Sequence, residues 1–531
     1  MDIVSVETTG LGCANFLALL NYSYGERMTC VSPDASESLG PNCAPSRSER
    51  RTGEKTSPHA LRTEPSGISH GAGFSRTPFF GACQKRYVMK NSVSANSIVI
   101  ALTAVLALTL ISNTAAADAL ERLTAERLEA VRQCVTAFHD QRIDVPRLGP
   151  FQEHRANLHV HSHWSHDSVG TVEEIVAAAR TTGTSVLMFT EHPADHYDFF
   201  LEGHQGVKEG VLMIPGAEMQ GFLAYPTMSM RGVTPSSPQE LSDLIRGRDG
   251  QIFVSHPEER MDWQIQGVTG MEIYNTHADF KDEQNMVAAL KNPFRMIGMA
   301  ELFRKYPQES FAALQNYPVD YLQRWDELCT IAPHTGVSAN DAHQNVGLVI
   351  RWTSGDKGQL EDALGERLIE MDLLALPESE NLRKNKQPGD VIFSMFLDRY
   401  ENSLRHVGTH LLLKELSEDS VRECLDAGRA FVAFDWIADS RGFDFAANSG
   451  TMRHEMGREV TQSSGLVLNA IAPLPVHWRL VRNGAVISES DGRMLSSEVD
   501  HPGVYRCEAW LDVAGERTIW ILSNPIYISA P

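Results

Sequence analysis

Asn157-Leu158-His159-Val160-His161-Ser162-His163-Trp164-Ser165-His166-Asp167 is the stretch on which the fold turns. Leu158 and Val160 alternate with His159 and His161, which is the period of a strand, and strand side chains at i and i+2 face the same way. His-x-His therefore delivers two imidazoles to one point from one rigid element. Thr190-Glu191-His192 follows, and eight of the chain's 20 histidines fall between His154 and His204. Neutral imidazole is the commonest protein ligand for zinc, iron and manganese, and carboxylates complete such sites. The density points to a metal site.

Outward from that stretch, short apolar runs alternate with helical ones. Thr171-Val172-Glu173-Glu174 is a capping box that opens a helix running to Arg180. Ser185 to Thr190, Val211 to Ile214, Gln251 to Ser255, Gly270 to Tyr274 and Gly336 to Ala339 read as strands. Strands spaced by helices predict a parallel α/β sheet or barrel. Polar residues sit at or just beyond the C-terminal ends of these strands: His159 and His161, Glu191 and His192, Glu218, His256, then Asp341-Ala342-His343. Barrel enzymes assemble their sites on that face, from several strands at once.

The candidate metal ligands are His159, His161, Asp167, His192, Glu218, His256, Asp341 and His343, enough for two to three divalent ions of Zn, Mn or Fe. Glu218 is suited to bridge two of them. His256 or His343, where not fully engaged by metal, is a candidate to protonate a leaving oxygen, and Glu191 to orient an imidazole. His154, His204, His334 and His410 lie off these positions and read as surface, loop or satisfied core residues. Trp478, Trp510 and Trp520 read as core.

In their order these motifs resemble the polymerase and histidinol phosphatase family, the PHP domain, over about residues 155 to 345. His159, His161, Ser165 and Asp167 match its first motif, Thr190-Glu191-His192 its second, Gly216-Ala217-Glu218 its bridging glutamate, Ser255-His256-Pro257 its third and Asp341-Ala342-His343 its fourth. The resemblance implies a distorted (β/α)7 barrel whose metal cluster hydrolyses phosphate esters. Ala427 to Asp435 and Trp520 to Tyr527 also look like the exported CehA/McbA-like branch, which includes carbamate-ester hydrolases. A carboxyl or carbamate ester is thus the alternative substrate, and a catalytically degenerate exported binding protein the alternative role. Many family members carry a histidine just after the bridging glutamate, where this chain has Gln220-Gly221-Phe222. Either His163, His196 or His277 compensates, or two metals are held, and either His166 or Asp167 ligates. The expected chemistry is hydrolysis by a water whose pKa the cluster lowers. No nucleophile elbow is present for a covalent serine route.

Composition bounds the rest. The apolar run Ile98 to Ile111, with Lys85, Arg86 and Lys90 before it and Thr114-Ala115-Ala116-Ala117 after it, reads as a secretory signal peptide over 89–117. Residues 1–88 then read as a spurious or disordered leader. From 118 onward, 37 Lys and Arg face 60 Asp and Glu. Nucleic acid and anionic membranes repel such a chain, and a small-molecule ester is the expected partner. Cys134, Cys329, Cys424 and Cys507 form no Cys-x-x-Cys pair, and no lipid-anchor cysteine follows the apolar run. A periplasmic or secreted product without a membrane anchor is expected. Its parts are an N-terminal helix and linker at 118–150, the metallohydrolase barrel at 151–346 with elements extending to about 430, and a small antiparallel β-sandwich-like domain at 431–531.

Overall fold

The computed structural model describes residues 119–290, 292–376 and 379–531, so the expected leader and signal peptide lie outside the described residues. The described residues belong to one compact unit. Among the described residues no helix is long and apolar enough to cross a membrane.

The N-terminal helix expected within residues 118–150 is two, Ala119–Arg122 and Ala125–Gln141, because Thr124 adopts an extended conformation and its side chain accepts the Arg127 N–H. The second helix buries Leu128 and Val131. The histidine-bearing strand β1 (Gln152–Val160) pairs in parallel with β2 (Val186–Phe189). Between them the helix Val172–Thr182 opens on the capping box of Thr171 and Glu174 and closes on Gly183 at φ 74°. Next come β3 (Gly206–Lys208) and β4 (Val211–Ile214), with β4 parallel to β2. All four residues of β2 are buried, as a strand covered on both faces requires, and each large side chain there stabilises the fold by about 1.5–3 kcal/mol.

β5 (Ala217–Met219), β6 (Phe222–Tyr225), β7 (Gln251–Val254), β8 (Gly270–Asn275) and β9 (Thr335–Ala339) form a separate five-stranded sheet. Where one seven-stranded parallel barrel was expected, the strands thus divide between two sheets, and β6 runs antiparallel to both β5 and β7. The reason is local: Gln220 and Gly221, at φ 48° and 82°, make a tight reversal where a helical crossover would otherwise run. Two parallel bridges, Val160 to Ala342 and Glu191 to Ala217, join the sheets at the strand ends that carry the histidines.

The polar stretch after Gly347 is an antiparallel sheet of β10 (Gly347–Ser354), β11 (Lys357–Asp362), β12 (Arg367–Asp372) and β13 (Val391–Phe396). Then β14 (Gly408–Leu413) pairs with the other edge of β1, and β15 (Ala430–Ala433) with β14. β16 (Asp444–Ser449), β17 (Met452–Glu455), β18 (Glu459–Thr461), β19 (Leu466–Arg482), β20 (Ala485–Glu498), β21 (Gly503–Val513), β22 (Glu516–Ser523) and β23 (Ile526–Ser529) make up the β-rich end. β22 pairs with β15, so hydrogen bonding continues from the histidine strand into this region within one 14-stranded sheet. Trp478 and Trp520 are fully buried there and Trp510 is nearly so. The Tyr505 hydroxyl donates to His501 O at 2.7 Å, the back-bond of a tyrosine corner.

Candidate metal centre

The ends of β1, β2, β7 and β9, together with β5, bring eight side chains together in two groups of four, within which the ligand atoms lie no more than 4.8 Å apart. The inner group is His159, Glu218, His256 and Asp341, all buried. The outer group is His161, Asp167, His192 and His343, of which His192 is partly exposed. These are the eight residues singled out in the sequence.

Two carboxylates tie the groups together. Glu218 Oε2 lies 3.3 Å from His159 Nε2, 3.6 Å from His161 Nε2 and 3.9 Å from His192 Nε2, while its Oε1 lies 3.3 Å from His256 Nε2. Asp341 Oδ1 lies 3.2 Å from His159 Nε2 and 3.6 Å from His161 Nε2, while its Oδ2 faces His256 Nε2 at 3.5 Å and His277 Nδ1 at 3.3 Å. Each carboxylate thus gives one oxygen to the His-x-His pair and the other to the β7 side. Asp167 faces His192 Nε2 at 3.4 Å and His343 Nε2 at 3.5 Å.

The backbone is strained to achieve this. His256 and Asp341 sit at φ 45° and 48°, a left-handed region that side chains other than glycine enter at roughly 1–3 kcal/mol each. Glu272, wholly buried in the middle of β8, holds the first of these by accepting the His256 N–H at 2.9 Å. Its other oxygen faces His159 Nδ1 at 2.8 Å, which fixes that ring. His256 Nδ1 faces Glu258 at 3.2 Å, and His343 Nδ1 faces Asp341 O at 3.0 Å. In each case Nδ1 is engaged by an acceptor and Nε2 turns to the centre.

Electrostatics keep the carboxylates ionised. Burial opposes charge on Asp341, but His159 and His343 outweigh it and hold its pKa down at about 2. Glu218 is likewise held well below the usual range, against burial, by His159 and His256, and Asp167 by His343 and His192. Burial lowers the His161 pKa, with His343 adding to the effect, whereas His256 is pushed up to about 10 by Glu218 and Glu258 despite its burial.

A divalent cation fits these donors. Asp167 Oδ1 and Oδ2, Asp341 Oδ1 and His343 Nε2 are buried and make no hydrogen bond among the described residues. Buried polar atoms are nearly always satisfied, and four orphans spread over the two groups, beside the Glu218 carboxylate, call for positive charge.

Other expected residues are placed as follows. Glu191 bonds Ser162 N, Ser162 Oγ at 2.6 Å and Ser165 Oγ at 2.8 Å, and so reaches His161 only through Ser165, whose Oγ lies 3.1 Å from His161 Nδ1. It is buried, with its carboxylate engaged by these serines. Of the three histidines weighed against the missing one, His163 and His196 are exposed, whereas His277 faces Asp341. Asp167 turns into the outer group while the His166 side chain is 61% exposed. Phe222 is fully buried in the core. Glu272 and Glu258 were missed in the sequence. A lone carboxylate inside the apolar run Gly270 to Tyr274 was the signal for the first.

Residues 157–325 match the family model of the PHP domain, a match that ends before Asp341 and His343. A crystal structure from Bacteroides vulgatus ATCC 8482 is similar, described as a two-domain protein containing a predicted PHP-like metal-dependent phosphoesterase. Identity is 13%, coverage 72% of this chain and 98% of that chain, and the TM-score 0.31. No curated protein matches the chain.

Proposed function

We propose that this metal-dependent hydrolase, built on a PHP domain at residues 157–325, cleaves phosphate esters at a cluster of two to three divalent cations. The observation that carries the reading is the division of Glu218 and Asp341, each with one oxygen toward His159 and His161 and the other toward His256. Carboxylates so placed would hold ions on either side. More than one ion would suit a phosphoryl group, which has several charged oxygens to neutralise. Ions bound there supply Lewis acidity, lowering the pKa of water and offsetting charge on the phosphoryl oxygens.

The chain's own residues do the rest. His159, His256, Glu218 and Asp341 would hold an inner ion and His161, Asp167, His192 and His343 an outer one, with Glu218 and Asp341 within reach of both and His277 beside Asp341 for a third. Glu272 and Glu258 lock His159 and His256 with Nε2 inward. In this reading His256 and His343 are ligands and not proton donors, because their remaining nitrogens are engaged by Glu258 and Asp341 O. The side chains of His192 and His277, 18% and 20% exposed, mark the open edge over which an ester approaches. Export belongs to the same proposal: it rests on the basic, apolar and small-residue order that ends at Ala117.

The test is a panel of phosphomonoesters, phosphodiesters, carboxyl esters and carbamates, assayed on the full chain with added manganese or zinc. Turnover confined to phosphorus substrates is expected. Turnover confined to carbonyl esters would replace the substrate assignment while keeping the hydrolase.

A further inference from the structure

The outer group has a support that the motifs do not mention. The Tyr400 hydroxyl, on the helix Tyr400–His406, lies 2.8 Å from His161 O, 3.1 Å from His343 O and 2.8 Å from Ser168 Oγ. Ser168 Oγ lies 3.2 Å and 2.9 Å from the same two carbonyls. Each hydroxyl has one proton, so the pair can donate to both carbonyls at once, which neither does alone. The two imidazoles above these carbonyls stack with centroids 3.9 Å apart at 18°. Gly170 completes the arrangement, since a Cβ there would collide with the Tyr400 ring.

The same elements carry the stems of the β10–β13 sheet. On the incoming stem Asn345 Nδ2 donates to Asp167 O at 3.0 Å. On the outgoing stem Asp398 accepts the N–H groups of Asn345 and Val346 at 2.8 and 3.0 Å, two residues before Tyr400. Three of the four outer ligands, His161, Asp167 and His343, are therefore bonded through their carbonyls to the roots of this sheet. The inner group is held elsewhere, by Glu272 of β8.

We propose that Tyr400 and Ser168 are positioning residues that hold His161 and His343 for the outer ion alone, and that they tie the sheet at residues 347–396 to the strength with which that ion is bound. This rests on the reading of the centre as a metal cluster. Supports of metal ligands typically change affinity about 10–100-fold when lost.

The experiment loads the full chain with zinc, counts zinc by elemental analysis and withdraws it by titration with a chromophoric chelator. In Tyr400→Phe one equivalent is expected to leave at least tenfold more readily, with the others held as in wild type and the metal-free circular dichroism unchanged. Glu272→Gln is expected to weaken a different equivalent. Unchanged zinc number and chelator midpoints in Tyr400→Phe, or equal weakening of every equivalent, would overturn the proposal. Should Tyr400→Phe fail to fold, Ser168→Ala decides by the same criterion. A wild-type chain that binds no zinc or manganese would instead sink the cluster reading itself.

Discussion

One end of β1 meets a single buried histidine and the other a buried histidine cluster, and they are built on opposite principles. At its start Glu153 Oε1 lies 2.7 Å from His410 Nδ1, Asp435 Oδ2 lies 2.8 Å from His410 Nε2, and Arg155 Nε lies 3.0 Å from Asp435. Both ring nitrogens of His410 are thus matched by protein acids. At the other end His159 and His161 join a cluster in which Asp167, Asp341 and His343 keep buried polar atoms without a hydrogen bond and in which the backbone is strained at His256 and Asp341. A histidine satisfied by its own chain is part of the scaffold. Histidines gathered around unsatisfied carboxylates are set for a ligand from outside.

That contrast can be broken at either end. Replacing His159 and His161 together by alanine should remove the metal and lower turnover on the order of 10⁴-fold or more, the scale of losing a catalytic unit. Elemental analysis and steady-state kinetics check this, and turnover that survives without metal would dissolve the distinction. His410→Ala should do the reverse: about 3–5 kcal/mol less stable by denaturant melts, because Glu153 and Asp435 lose their buried partner, with metal content unchanged.

The same end has a pH signature. Burial opposes charge on His410, but Asp435 and Glu153 outweigh it and raise its pKa to about 9, above the unfolded value near 6.5. Its contribution is therefore complete below about pH 6.5 and lost as pH rises through 9, on the order of 3 kcal/mol. Metal-free protein should lose stability across that window, and His410→Gln should show a flatter profile there. At the metal end Glu272→Gln should weaken one ion about 10–100-fold, read by chelator competition. His163→Ala and His196→Ala, in exposed side chains, should leave metal content and turnover within about twofold.

The clustered side chains were legible because strand geometry writes them into short motifs: His159-x-His161 and Asp341-x-His343 each put two groups on one side. Their supports were not, since Tyr400 reaches His161 O across 239 residues and no local pattern encodes such a contact. His277 stood as one of three alternatives, because nothing in its neighbourhood says that the helix after β8 turns it toward Asp341. The 347–396 sheet was hidden for another reason. β12 is exposed or half-exposed along its whole length, so it lacks the alternation that marks a strand packed on a core. The junction of β15 with β22 was equally silent, because sheet continuity depends on edge pairing between segments some 90 residues apart.

Anomalous scattering from crystals of the full chain grown with manganese tests the central claim most directly. Peaks are expected at both groups, one beside His159 and His256 and one beside His161 and His343, each within reach of Glu218 or Asp341. Crystals that diffract well, hold manganese in the medium and show no peak within reach of these two carboxylates would contradict it.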